Sequence, residues 1–315
     1  MIRAAIALTV ALGFAGAVTT EAANVGVGFG ERLMSLTSAR QAGTGGVSLE
    51  DNWRRGDLLE TGTVLLPPGL RWYGIGYQGG VGSTLRLGIE GFGFSAPSIT
   101  RTTENPDGTY GRTEGTVDAL EWGGRAVGQL TLLEAGDWLV GGLGRLSGLM
   151  EQSQGLRRTG GLGLELGGQA RYALKPGRAL IFWGLAGPLG RSAQRLFAYQ
   201  VTLGTGLLAG LPIGVLGGPE GYAIGADAQF LGEGLFDSGI GGVYWFGRID
   251  QPGFTFFLRA GARCAPHTAQ LVQPRGGLGL LWRQMNGFGL QYDYTIAPIG
   301  ELGFFHYAGL ALRLQ

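Results

Sequence analysis

Two histidines (His267 and His306), one cysteine (Cys264) and one lysine (Lys175) are the residues of this chain best equipped for covalent or proton-transfer chemistry. A hydrolase needs a histidine general base with a hydroxyl or carboxylate in reach. His306 follows Asp293 and Glu301 closely in sequence, and His267 stands in a predicted loop; nothing else completes a triad around either. A lone cysteine excludes an intramolecular disulfide and a thiolate metal site, and two histidines are too few for a histidine-built metal centre. Lys175 is followed by a proline, so it is no P-loop lysine. The stretches "GVGFGERL" and "GTGLLAG" look like fragments of phosphate-binding loops, but neither opens a βαβ unit, and a chain this rich in glycine produces such matches by chance. The expectation is a protein that is not an enzyme and uses no cofactor and no metal.

Composition points elsewhere. Glycine makes up 64 of 315 residues, against a usual share of roughly 7%. There is no collagen period, and aromatics at 10% with hydrophobics at 44% are too abundant for a disordered glycine-rich chain. Glycine mixed with aromatics and alternating aliphatics is a cue for repeated hairpins and barrels. The net charge of +1 carries no electrostatic footprint for nucleic acid. All but one of the 24 basic residues are arginine. Base composition accounts for that, and so does arginine lining a wet lumen; both readings stand at this point.

The N-terminus, "MIRAAIALTVALGFAGAVTTEAAN", has a basic residue at Arg3, an apolar run from Ala4 to Val18, and small residues suited to cleavage after Ala17, Ala22 or Ala23. It reads as a secretory signal peptide over residues 1–23. No later apolar run approaches the ~18 residues of a spanning helix.

The elements that must position any functional side chain have period two. In "DALEWGGRAVGQLTLL", Leu120, Trp122, Ala126, Leu130 and Leu132 share one face, and Glu121, Arg125 and Gln129 share the other. In "FTFFLRAGARC", Phe254, Phe256 and Leu258 oppose Thr255, Arg259 and Arg263. In "GYAIGADAQFLG", Ile224 and Phe230 oppose Asp227 and Gln229, and in "GFGLQYDY", Leu290, Tyr292 and Tyr294 oppose Gln291 and Asp293. Such alternation marks strands with one apolar and one polar face. Most of these segments run about 9–13 residues, longer than the ~5–6 of a soluble strand and matched to the ~9–11 of a tilted membrane-spanning strand. With a secretion signal, the pattern predicts an all-β fold: a transmembrane antiparallel β-barrel of fourteen strands over residues 58–315, apolar outside and polar inside.

The strands are expected at 58–66, 70–79, 82–94, 118–133, 138–149, 160–172, 178–187, 196–208, 221–231, 239–248, 254–264, 275–283, 287–294 and 304–314. Segments 95–117, 150–159, 265–274 and 295–303 are expected as external loops. The segment 209–220 is long for a periplasmic turn and is the place where the count could change by two. Trp72, Tyr73, Trp138, Trp183, Tyr244 and Trp245, near predicted strand ends, fit an interfacial aromatic girdle. The inward charges, among them Arg86, Glu90, Glu165, Arg171, Arg259 and Arg263, either pair and fill the lumen or form a selectivity ring. The small, glycine-rich stretch from Leu33 to Trp53 precedes the first strand, and residues 24–57 are expected as a hatch or plug inside the barrel, with a periplasmic tail as the alternative.

Within that stretch, "SARQAGTGGVSLED" resembles the N-terminal hatch motif of FadL-like outer-membrane proteins, through Ala39, Arg40, Gly43, Gly45, Gly46, Glu50 and Asp51. The end, "DYTIAPIGELGFFHYAGLALRL", resembles the PorV/PorQ branch of that superfamily, through Asp293, Tyr294, Pro298, Gly300, Leu302, Gly303 and His306. Where the family has Asn-Pro-Ala-Gly-Leu after the acidic pair, this chain has "NWRRGDLLETGTVLLPPGL", so the family's hatch tip is not carried over. The terminal pattern from Tyr307 to Leu314 also resembles the signal by which barrels are recognised for insertion. The resemblance implies a fourteen-stranded barrel with a hatch, in the outer membrane of a Gram-negative-type bacterium. It further implies passive transport of small hydrophobic molecules or, alternatively, a PorV-like part in type IX protein secretion, with external loops docking cargo. The partners implied are outer-membrane lipid, the barrel-insertion machinery, and a small hydrophobic ligand or a secretion-machinery protein; no nucleic acid is expected.

Overall fold

A computed structural model describes residues 57–66, 70–104, 110–153, 159–192, 200–211, 218–231, 236–249, 251–264, 272–298 and 303–314. The predicted signal peptide and the hatch motif Ala39, Arg40, Gly43, Gly45, Gly46, Glu50 and Asp51 lie outside these residues, as do Gly300 and Leu302.

Fourteen strands follow in chain order: β1 (Asp57–Leu66), β2 (Leu70–Val81), β3 (Leu85–Glu104), β4 (Tyr110–Ala135), β5 (Trp138–Ser153), β6 (Thr159–Lys175) and β7 (Arg178–Ser192), then β8 (Gln200–Leu211), β9 (Glu220–Leu231), β10 (Phe236–Phe246), β11 (Gly253–Cys264), β12 (Val272–Arg283), β13 (Gly289–Pro298) and β14 (Phe304–Leu314). Each pairs antiparallel with its sequence neighbours, and β1 pairs with β14, from Asp57 opposite Leu314 to Leu65 opposite His306. The sheet is a closed barrel and leaves no free edge, as a structure that meets hydrocarbon requires.

The alternation seen in the sequence is the alternation of the wall. Ile75, Ile89, Leu146, Leu162, Ile240, Phe254, Leu278 and Tyr292 all point outward and are exposed. An apolar belt running around every strand is far larger than the few hundred Å² a soluble protein tolerates in one patch, so this face is built for lipid. The opposite positions face the lumen.

The predicted external loops are corrected, and the predicted count of fourteen strands holds. Residues 95–104 and 110–117 are not loop: β3 runs 20 residues and β4 runs 26, paired up to Glu104 and Tyr110. At roughly 3.3 Å per residue this hairpin far outreaches a bilayer, because its Thr-rich sequence sustains strand pairing where its polarity read as a loop. Residues 150–153 and 159 likewise belong to β5 and β6, residues 272–274 to β12, and residues 295–298 to β13. The 209–220 segment adds no strand, since β8 and β9 pair directly, from Gln200 opposite Leu231 to Leu211 opposite Glu220.

Three connections at one rim, 82–84, 136–137 and 176–177, are only two or three residues long, and at this rim β1 begins and β14 ends. Gly82, Gly136 and Gly177 turn there with positive φ (75°, 58° and 77°), a backbone state that favours glycine. We call this the turn rim and the opposite end the hairpin rim.

Candidate functional site: the barrel lumen

The lumen wall has three kinds of surface, each set by which residue falls on the inward parity. The first is an ionic cluster across β3–β6. Arg125 donates through Nη1 to Glu90 Oε2 at 3.3 Å and through Nε to the Ser147 hydroxyl at 3.1 Å. Glu165 Oε2 lies 4.0 Å from Arg125 Nε and 3.9 Å from Arg145 Nη1. At the irregularity between β6 and β7, Gly187 and Pro188 of β7 stand against the single residue Glu165 of β6. Gly187 sits opposite with φ 140°, and a side chain there would run into the Glu165 backbone. Glu165 keeps its regular place opposite Arg145 of β5, so ordinary alternation points it into the ion cluster.

The second surface spans β11–β14 and continues to β9. Arg259 Nη1 donates to Asp293 Oδ1 at 2.7 Å, Gln291 Nε2 donates to Asp293 Oδ2 at 2.8 Å, and Arg313 Nη2 donates to Gln291 Oε1 at 2.8 Å. The side chains of Arg259 and Asp293 are 1% and 4% exposed, so water screens this pair little. Toward the hairpin rim, Arg263 holds Asp227 at 3.0 Å and Gln229 at 2.8 Å. Pairing across strands, the first of the two readings open at the sequence, is therefore what these arginines and carboxylates do. Arg275, on the neighbouring strand, has no carboxylate partner among the described residues; its guanidinium lies over the Phe305 ring, 5.7 Å from the centroid.

The third surface is apolar. Ala223, Val243, Trp245, Phe257 and Leu281 form a buried cluster, with Trp183, Leu208 and Ile249 packed against it. Ile249 comes from the β10–β11 connection at the turn rim, so that turn folds against the inner wall. Glycine makes room for these rings. A Cβ on Gly204 would collide with the Trp183 indole, and one on Gly221 with the Trp245 indole. Trp72 lies over Gly74 and Tyr307 over Gly62 in the same way, 2.6 and 2.9 Å from where a Cβ would stand. At these four positions glycine serves as floor for inward aromatics.

This corrects the aromatic girdle. Tyr73 and Trp138 face outward and are exposed, and Tyr244 points its hydroxyl to Glu220. Trp72, Trp183 and Trp245 are lumen residues instead. Trp72 and Tyr73 are adjacent, as are Tyr244 and Trp245, and adjacent positions on a strand face opposite sides; nearness to a strand end does not choose between them.

The C-terminal motif is divided by the same parity. Asp293 faces the lumen in its ion pair. Tyr294 and His306 lie on the outer side of the wall, the Tyr294 hydroxyl 2.6 Å from His306 Nδ1. Asp293 sits opposite Gly309 rather than His306, so the proximity expected from sequence does not become a His–Asp contact. Pro298 ends β13, and Gly303 precedes β14 with φ 95°. Among the described residues no three His, Cys, Asp or Glu side chains gather as metal ligands. An open recess of about 430 Å³ at the turn rim, lined by Gln284, Asn286, Phe288 and Leu314, holds no charged side chain among these lining residues. Sequence reasoning missed Arg275 and the apolar lumen wall. Arg275 sits in "VQPRGGLG", where proline and glycines hide the alternation, and Phe257 interrupts an otherwise polar face.

The fold of this barrel has known counterparts among solved structures. The toluene transporter TodX of Pseudomonas putida matches over 88% of this chain and 97% of its own, with a TM-score of 0.52 and 8% sequence identity. CdiB from Acinetobacter baumannii matches over 82% of this chain with a TM-score of 0.50 and 13% identity. The chain spans 60% of the length of CdiB. At such identities the likeness is one of fold. No protein-family profile matches the sequence, and no curated protein matches it.

Proposed function

We propose that the protein is an outer-membrane channel through which small hydrophobic molecules cross passively, with the turn rim in the periplasm and the hairpin rim outside. The observation that carries this reading is the apolar inner wall of Ala223, Val243, Trp245, Phe257 and Leu281. A barrel whose outer face already meets lipid has no need of an apolar patch inside, where water and ions would favour polar side chains; an apolar permeant gives that wall a use. The shared fold with TodX, a toluene transporter, supports it. On this reading the protein is not an enzyme, outer-membrane lipid covers the apolar belt, and β14 is the strand offered to the insertion machinery. The test is uptake of labelled toluene by cells carrying the protein, together with quenching of the protein's tryptophan fluorescence by toluene in detergent. Faster uptake and saturable quenching are expected; linear quenching with unchanged uptake would sink the reading.

A second reading, the PorV-like role in type IX secretion, has one feature in its favour: the β3–β4 hairpin, whose length exceeds what the membrane needs. Native mass spectrometry of gently extracted protein separates the two. A co-released secreted protein, lost when the hairpin is shortened, supports secretion, whereas a co-released lipophile supports uptake.

A further inference from the structure

Arg275 stands apart from the other inward arginines. Arg259, Arg263 and Arg125 each reach a carboxylate, at 2.7, 3.0 and 3.3 Å. Among the described residues Arg275 instead makes one long approach, Nη2 to the Gln273 amide oxygen at 3.5 Å, and its Nε, as in several arginines of this wall, is buried without a hydrogen-bond partner. The guanidinium is always charged and carries five donors in a planar fork. Holding such a charge partly out of water, with its Nε unmet and no carboxylate paired to it among the described residues, is unfavourable unless an anion completes it.

The surroundings favour a flat anion. On one side lies the Phe305 ring. On the other, the residue opposite Arg275 is Gly261, which pairs with Gly241, which pairs with Gly225. At this level β9, β10 and β11 place no side chain into the lumen. Elsewhere in the same barrel a glycine position on the inner wall is what a ring lies against, as with Trp183 on Gly204 and Trp245 on Gly221.

We propose that Arg275 is the recognition point for the carboxylate of an aromatic acid, held bidentately by the guanidinium with its ring between Phe305 and the glycine strip. The inference rests on the channel reading and names its substrate class: organic anions with an aromatic body, rather than neutral hydrocarbons alone. Arg263 next to it is engaged by Asp227 and Gln229, so it does not compete for the ligand.

The test is calorimetric titration of the full chain in detergent with benzoate and with its neutral isostere benzamide. Wild type, Arg275→Gln and Arg275→Lys are compared, each first shown to be folded by the heat-dependence of its electrophoretic mobility. Wild type should bind benzoate saturably and benzamide about tenfold more weakly, the order expected for a charge-assisted hydrogen bond. Arg275→Gln should abolish the preference. Arg275→Lys, which keeps the charge and loses the fork, should reduce it, and gives the answer if the glutamine variant does not fold. Equal binding of the two ligands by wild type, an undiminished preference in either variant, or no benzoate binding would overturn the proposal. Saturable toluene binding without benzoate binding would overturn it while leaving the channel reading intact; binding of neither would end both.

Discussion

Asp293 and Arg259 show how tightly single residues are fitted in this wall. The pair is almost wholly removed from water, and a Cβ on Gly279 would stand 2.6 Å from Arg259 Nη1 and closer still to Asp293 Oδ1. Gly279→Ala should therefore displace the pair and cost about 1–3 kcal/mol, the usual penalty for overpacking. Asp293→Ala should cost more, about 3–5 kcal/mol, because it strands a buried guanidinium. Denaturant unfolding in lipid vesicles, followed by tryptophan fluorescence, measures both; an unchanged midpoint for Gly279→Ala would show that the ion pair shifts freely. That Asp293 faces inward was legible in "GFGLQYDY", whose alternation is strict. That Arg259 is its partner was not, because the two residues sit on β11 and β13 and meet across Gly279 of β12, a contact defined only by the register of three strands.

At the scale of the strand, the two faces predict opposite responses to charge. Leu278 points into the lipid belt in the middle of β12, whereas Met285, in the β12–β13 turn, is 92% exposed. Leu278→Arg should destabilise the barrel by about 2–4 kcal/mol if it lies near the bilayer midplane, and Met285→Arg by about 0–1 kcal/mol. The same vesicle unfolding reads both, and equal effects would contradict the placement of the belt. Strand existence and parity were readable almost everywhere, since an apolar face toward lipid leaves a period of two in the sequence. Strand length was not. Polar composition hid the outer halves of β3 and β4, because beyond the membrane a hairpin needs only its backbone ladder and cross-strand pairs, which demand no apolar alternation.

For the whole molecule, closure is the decisive fact. β14 pairs along its length with both β13 and β1, so removing residues 304–314 would leave two unpaired edges in hydrocarbon. That deletion should abolish the folded, heat-modifiable species on electrophoresis, and a variant that still showed it would mean the barrel closes by another pairing. A chain with one cysteine, two histidines, abundant glycine and repeated long alternations already determines a barrel and its inside and outside, because these depend only on local parity and on the solvent each face must meet. Which inward charges neutralise one another, which tryptophans lie on glycine inside the lumen, and that Arg275 meets no carboxylate among the described residues were decided by tertiary structure alone. Each depends on the stagger of neighbouring strands around a closed ring, and no window along a single strand contains that information.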